Sequence, residues 1–509
     1  MSTAQLNQLG TYATGIFAES AAEIVAFDAA TDRLFVVNGA DFAVDILDIS
    51  NPTVPSKLSA IDVSAFGGGV NSVAVSGGIV AIAIEADIKQ DPGMVAFFDT
   101  SGNLISSVVV GALPDSLTFT PDGRKVDVAN EGEPSEDYTN DAVGSISIID
   151  LSGGVENLSQ TAVTTASFEG FDKQTLINQG IRIFGPNASV AQDLEPEFVT
   201  VSSDSTTAWV TLQENNAIAK VNLANGQVEL LPLGLKDYSL PGNGIDPSNE
   251  DGGINIREVP VFGLYQPDTI ATYEVGGKTY LVTANEGDAR DYEAFSEEAR
   301  VADLVLDPTA FPDAANLQKE ENLGRLKVTT TLGDTDGDGD YDQLFAYGGR
   351  SFAIWDETGN LVFDSGDALE QITAEQVPNG FNSDDEANAF DDRSDDKGPE
   401  PEALAIGQIG NRTFAFVGLE RTSGIAVFDI SNPRNPQFQE YVNNRNFNVP
   451  ITLADGSVNP AVGDVSPESL TFISAVDSPT GRPLLVAANE ISGTTTVYDV
   501  GPAIKGDYF

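Results

Sequence analysis

Short apolar runs rich in β-branched and aromatic residues punctuate the chain, and most of them stop at an acid or an amide. KTYLVTA runs into Asn285-Glu286-Gly287, and the pattern returns in KVDVANEGE at Asn130-Glu131 and PLLVAANEI at Asn489-Glu490. It recurs in TAWVTLQEN at Glu214, RTFAFVGLE at Glu420 and IVAIAIEAD at Glu85, with RLFVVNGAD (Asn38, Asp41) as a degenerate copy. Runs of this length and composition, closed by turn residues, predict strands. Seven copies make the chain a repeat protein.

Two further strands flank each of these runs. The preceding one begins with an acid or amide, often after proline: Glu23, Asn71, Asp115, Glu197, Asp268, Glu402 and Glu468. The following one mostly closes on aspartate: Asp48, Asp99, Asp150, Asp356, Asp429 and Asp499, with Asn222 in the odd unit. Most units then add a fourth strand, such as Leu104 to Val110 or Gln227 to Leu233. The pattern predicts an all-β fold, a seven-bladed β-propeller formed as a single domain over 1–509. The last unit runs out near Gly501, and Thr11 to Phe17 (TYATGIF) has no unit of its own. That N-terminal stretch is expected to supply the missing strand, closing the ring and covering its open edges.

Connections divide into two kinds. Those between first and second strands, and between third and fourth, are short Gly-containing turns such as Ser76-Gly77-Gly78 and Pro121-Asp122-Gly123. The others carry the long segments: 132–143, 169–193, 234–266, 287–350, 366–401 and 443–467. In antiparallel units all of these fall on one face, the usual seat of function on a rigid scaffold.

Charge sharpens this picture. Lys plus Arg number 25 against 78 Asp plus Glu, a formal net charge of −53, which repels nucleic acid and attracts cations. The same field also serves a surface kept soluble by self-repulsion. There is no Cys and no His, which excludes disulfides, thiolate or imidazole metal sites and Ser-His-Asp chemistry. A bound metal must then take oxygen ligands, which favours calcium or magnesium, with other oxygen-preferring divalent cations as substitutes. No Sec-type leader is visible in MSTAQLNQLGTYATG, and no apolar run is long enough to span a membrane.

The starts of the first strands and the ends of the second strands are antiparallel neighbours, so their acids should meet where the channel opens on the elaborated face. Glu131, Glu197, Asp268, Glu286, Glu402, Glu420, Glu468 and Glu490 are the candidate metal ligands of that rim, joined by Glu23, Glu85, Asp115 and Glu214. So many carboxylates repel unless cations or arginines neutralise them. A polynuclear calcium site and acids that cap their own repeats both fit. A second candidate is Asp334, Asp336, Asp338, Asp340 and Asp342, whose alternate spacing with Gly339 matches the start of an EF-hand-type loop. Phe345 stands where that loop would place its bidentate Glu, so a structural calcium or a solvated acidic turn is expected. Among the scarce cations, Arg290, Arg350 and Arg421 flank the rim, with Arg393, Arg182 and Arg257 in its inserts. Each would either bind phosphate or carboxylate bidentately or neutralise a neighbouring acid.

The stretches LPDSLTFTPDG, NEGEPSEDY, QDLEPEF, SLPGNGID, YQPDTIA, TANEGDARDY, GDTDGDGDYD, GGRSF and DDRSDDKGPEPE resemble the choice-of-anchor I family. That family takes in atypical bacterial alkaline phosphatases and a sea-urchin cell-surface glycoprotein of biomineralisation. The resemblance implies an extracellular or cell-surface propeller. Two functions are therefore expected. One is a calcium-dependent phosphomonoesterase acting on a phosphate ester or similar anionic small molecule, with Glu286, Arg290, Arg350 and Arg421 as its catalytic set. The other is a non-catalytic, calcium-binding surface or matrix protein.

Overall fold

The second strand of each repeat is buried on both faces, as in Leu281 to Asn285 of Lys278–Asn285, which explains its unbroken apolar composition. The computed structural model describes residues 4–454 and 459–501, so 455–458 of the last insert lie outside it. Seven four-stranded antiparallel sheets hold the repeats. We number them by their first strands: Val25–Asp28, Gly69–Ser76, Pro114–Phe119, Val199–Val201, Ile270–Val275, Pro401–Ile409 and Pro467–Ile473. Each first strand touches the next in this order, and the seventh touches the first.

The apolar cores lie between sheets. Phe35 and Val37 of sheet 1 pack with Val80 and Ile82 of sheet 2, and Ala81 and Ala83 with Val126 and Val128 of sheet 3. The series continues from Ala129 to Val210, from Trp209 to Leu281 and from Val282 to Val417. Phe416 then meets Ala487 of sheet 7, whose Val486 returns to Val36 of sheet 1.

Sheet 7 draws its fourth strand from the other end of the chain. Gln5–Ala13 pairs antiparallel with Thr494–Gly501, from Gln5 opposite Gly501 to Ala13 opposite Thr494. The strand expected at Thr11 to Phe17 is thus displaced toward the N-terminus. Gly15 (φ 82°) and Ala18 (φ 52°) turn the chain after Ala13, and Phe17 packs instead beside Ile451, Val462 and Val465.

The long inserts fall where expected, between second and third strands or between fourth strand and next first strand. Two of them fold together, which the repeat pattern did not indicate. Leu235–Asp237 and Phe262–Leu264 form a small sheet with Phe345–Ala346. Tyr238, Val259, Val261, Val301, Leu326 and Val328 give this layer a core of its own.

Candidate functional site

Local backbone geometry aims the rim acids. In four sheets the register between first and second strands slips at the acid or amide itself: Asn71, Asp115, Glu402 and Glu468. A bulge of this kind re-aims a side chain and bends its strand. Ahead of the acid, Leu113, Gln266, Glu400 and Ser466 adopt left-handed φ of 46°, 42°, 51° and 59°. Such residues cost about 1–3 kcal/mol each and persist only where surroundings hold them. Here the hold is backbone: Leu113, Glu400 and Ser466 carbonyls accept from the N–H of Glu131, Glu420 and Glu490, each at 2.8 Å, and Gln266 accepts from Gly287 at 3.0 Å. The turn thereby joins the start of one strand to the end of the next and brings their acids together.

Glu23, Asp115, Asp268 and Glu468, from four different sheets, line one cavity of about 150 Å³ with Asn71 and Thr269. No Lys or Arg lines it. Burial, reinforced by Glu490, pushes the Glu23 carboxyl up to about 8. Burial together with Glu286 takes Asp268 up to about 8, and burial together with Glu133 takes Asp115 to about 7. Burial and neighbouring acids also raise Glu131, Glu197, Glu402 and Glu468. Glu197 and Glu214 are each 6% exposed, and one oxygen of each is buried without a hydrogen-bond partner. One oxygen of Glu402 is likewise unpartnered.

Part of the rim carries built-in cations. Carboxylate oxygens of Glu286, Glu400 and Glu420 lie within 4.8 Å of one another. Lys397 reaches into this group, with its Nζ 2.6 Å from Glu286 and 3.0 Å from Glu400. Gln213 donates to the other oxygen of Glu286 at 2.9 Å. Glu400 is fully buried, yet Lys397, Arg393 and Arg421 outweigh that burial and hold its carboxyl well below the usual range. Arg421 binds Asp385 at 2.5 Å, Glu420 at 3.2 Å and Glu400 at 3.3 Å, with its side chain 25% exposed.

Arg290 and Arg350 stand apart from this group. Arg290 is buried against Asp193 (3.1 Å) and Glu195 (2.8 Å), with its guanidinium over the Phe184 ring. Arg350 bonds Glu370 and the carbonyls of Asp246, Ser394 and Asp396 at 2.7–2.8 Å. Both guanidiniums tie inserts together, and their donors are engaged by protein.

The acidic loop also divides. Asp334 accepts from the N–H of Gly337 (2.7 Å) and Gly339 (3.1 Å), folding the loop around its carboxylate. Its oxygens come within 4.8 Å of those of Asp336 and Asp338, whereas Asp340 and Asp342 group with Asp307. Asp338 beside it raises Asp336 above the ordinary value. Asp307 escaped notice in the sequence because it lies outside the alternate-acid stretch.

Over residues 23–433 the sequence matches the choice-of-anchor I domain. The chain belongs to the choice-of-anchor I family. Among relatives of this choice-of-anchor I protein, Gigasin-3a of Magallana gigas is 32% identical over 191 residues, 36% of this chain and 67% of the relative. The mesenchyme-specific cell surface glycoprotein of Strongylocentrotus purpuratus is 31% identical over 283 residues, which is 48% of this chain and 36% of that protein. The chain therefore spans little more than a third of the sea-urchin relative. Streptogramin B lyase is similar in shape at a TM-score of 0.47 and 11% identity, covering 98% of each chain. The β-propeller domain of Myceliophteria thermophila Cps50 (Swd1) gives 0.45 and 9%, covering 97% of this chain and all of that one.

Within the choice-of-anchor I domain, Lys397, Glu400, Glu195 and Asp385 pair with the candidate residues Glu286, Arg290 and Arg421 and were not themselves candidates in the sequence. A signal was present. Glu195-Pro196-Glu197 and Glu400-Pro401-Glu402 repeat one another, and in both the first Glu takes a cation while the second stands among other acids.

Proposed function

We propose that this chain is a calcium-binding β-propeller of the cell surface, with seven blades closed by the N-terminal strand. Calcium, or another oxygen-preferring divalent cation, is held by carboxylates at the channel mouth and separately by the Asp334 to Asp342 loop. The observation that carries the reading is the cavity of about 150 Å³ that carboxylates from four sheets line without a Lys or Arg. Buried acids in that number stay ionised only beside positive charge. Calcium takes six to eight oxygens in flexible geometry, which suits a mixed set of carboxylates, amides and water. Lys397 already neutralises Glu286 and Glu400, so we assign calcium to the cavity acids Glu23, Asp115, Asp268 and Glu468, with Asn71 beside them. Glu131, Glu197, Glu214, Glu402, Glu420 and Glu490 complete the rim. The cell-surface placement draws on the sea-urchin relative, whose name states it. Among the described residues no helix is long and apolar enough to cross a membrane.

A second reading, a calcium-dependent phosphomonoesterase, is favoured by the part-exposed Arg421 beside Glu420. Bound calcium would supply Lewis acidity, and Arg421 and Lys397 would hold phosphoryl oxygens beside Glu286. Arg290 and Arg350 would act as positioning residues, since their donors are engaged.

One set of measurements separates the outcomes. Calcium-stripped protein is titrated with calcium, and hydrolysis of p-nitrophenyl phosphate is followed as calcium returns. Asp338→Asn with Asp340→Asn is expected to remove binding at the loop alone, and Glu23→Gln with Asp268→Asn the channel site. Turnover that returns with calcium and falls about a hundredfold in Glu286→Gln would establish the phosphomonoesterase. Calcium binding without turnover would leave the surface protein. No calcium bound at the channel in the loop variant would sink both.

A further inference from the structure

The acid cavity of the channel has a continuation. Ile24, Ser72, Ser116 and Phe198 line it and also line a second cavity of about 670 Å³ farther along the channel. This lower cavity is walled by the first strands of sheets 7, 1, 2, 3 and 4. It extends to Ala29 and Ala30, to the Ser76-Gly77-Gly78 turn and to Ser474 and Asp477, on the face of the short turns. Ala29, Ala30, Gly77 and Asp477 are exposed, so this end opens to solvent.

The two ends of the channel differ in charge. On the insert face Lys397, Arg393 and Arg421 gather around Glu400, and Lys397 also reaches Glu286. In the lower cavity the charged side chains are Asp28 and Asp477, with no Lys or Arg in the lining. A passage lined by one sign of charge between low-dielectric walls concentrates the opposite ion. A cation arriving from the insert face meets three cationic side chains, and one arriving past the short turns meets two carboxylates. Between the cavities the neck is fixed. Ser72 and Ser116 Oγ accept from the N–H of Leu117 at 3.3 Å and of Val199 at 3.5 Å, which ties the first strands of sheets 2, 3 and 4 together. Hydroxyl oxygens at that point also suit a calcium ion that has shed part of its water.

We propose that divalent cations enter and leave the acid cavity from the short-turn face, through the lower cavity and the neck at Ser72 and Ser116. This route rests on the calcium reading of the channel and adds the path by which that site fills.

The chain contains no cysteine, so one introduced thiol can plug the route in protein that is already folded. Ala74→Cys places the thiol in the wall of the lower cavity, and Ala289→Cys, next to Asp288, places it in an insert on the opposite face. Both are made in the full chain carrying Asp338→Asn and Asp340→Asn, so that only channel calcium is followed. Calcium release to the chelator quin-2 is timed by stopped flow before and after reaction with benzyl methanethiosulfonate. The adduct at position 74 should slow release about tenfold or more with Kd unchanged, and dithiothreitol should restore the rate. The adduct at position 289 should change nothing. A calcium-free arm uses Ser116→Cys at the neck, which should react with the cationic reagent 2-aminoethyl methanethiosulfonate. Adding Ala74→Trp should slow that reaction about tenfold.

Release slowed by the adduct at 289 and not by the one at 74 puts the entrance on the insert face and overturns the route. Release indifferent to both adducts, a thiol at 74 that no reagent reaches, or a reaction at 116 that ignores Ala74→Trp also overturns it. No bound calcium, with the reaction at 116 still slowed by Ala74→Trp, sinks the calcium reading and upholds the route for cations.

Discussion

Asp127 sits inside a second strand, fully buried, with neither carboxylate oxygen hydrogen-bonded. Burial pushes its carboxyl from 3.8 up to about 7. A carboxyl raised in the folded state favours its protonated form, so its contribution to stability is complete below about pH 3.8 and is lost as pH rises toward 7. Asp127→Asn should therefore raise the melting temperature at pH 8, by the equivalent of about 1–3 kcal/mol, and change it little at pH 4. Equal effects at the two pH values in calorimetry would contradict the buried, ionising carboxyl. Lys397 illustrates the opposite case, a buried cation kept charged, despite burial, by Glu286, Glu400 and Asp288. Its importance was hidden in the run DDRSDDKGPEPE, where composition does not say which acid a lysine will meet.

At the scale of elements, the N-terminal strand is the piece whose loss is most legible. Gln5–Ala13 covers the edge of Thr494–Gly501 and buries Leu6 with Phe414, Leu485 and Val500. Removing residues 1–13 should lower the melting temperature by about 5 °C or more. The uncovered edge should also promote association, visible by light scattering. A truncated protein that stays monomeric with an unchanged melting temperature would show the strand to be dispensable. The acid-bearing bulges belong to this scale too. The repeating X-Pro-acid pattern marked where first strands begin, but the left-handed residue before proline and the register slip at the acid became visible only in the pairing.

For the whole molecule, a net charge of −53 and a channel lined with buried acids act in the same direction. Without calcium, stability should fall as pH rises from about 4, because Glu23, Asp115 and Asp268 lose protons as pH approaches 7–8, where their folded-state values lie. Calcium binds the deprotonated forms, so the gain in melting temperature on adding it should be larger at pH 8 than at pH 5. Glu23→Gln combined with Asp268→Asn should shrink that difference. A calcium effect independent of pH would place the bound ion elsewhere, such as the exposed Asp334 loop.

The strands, their repetition, the face that carries the inserts and the acids Glu23, Asp115, Asp268 and Glu468 at the strand starts were legible in the residue order. Hydrophobic periodicity and turn chemistry are local, and a repeated local pattern needs no tertiary information to be read. Which acids are neutralised was not legible, because Lys397 reaches Glu286 and Arg421 reaches Asp385 across separate segments of chain. Nor was the engagement of Arg290 and Arg350 by Asp193, Glu195 and Glu370, or the joint folding of two inserts around Tyr238 and Val328. Electrostatic pairing depends on distances through space and on burial, and only the folded chain decides those.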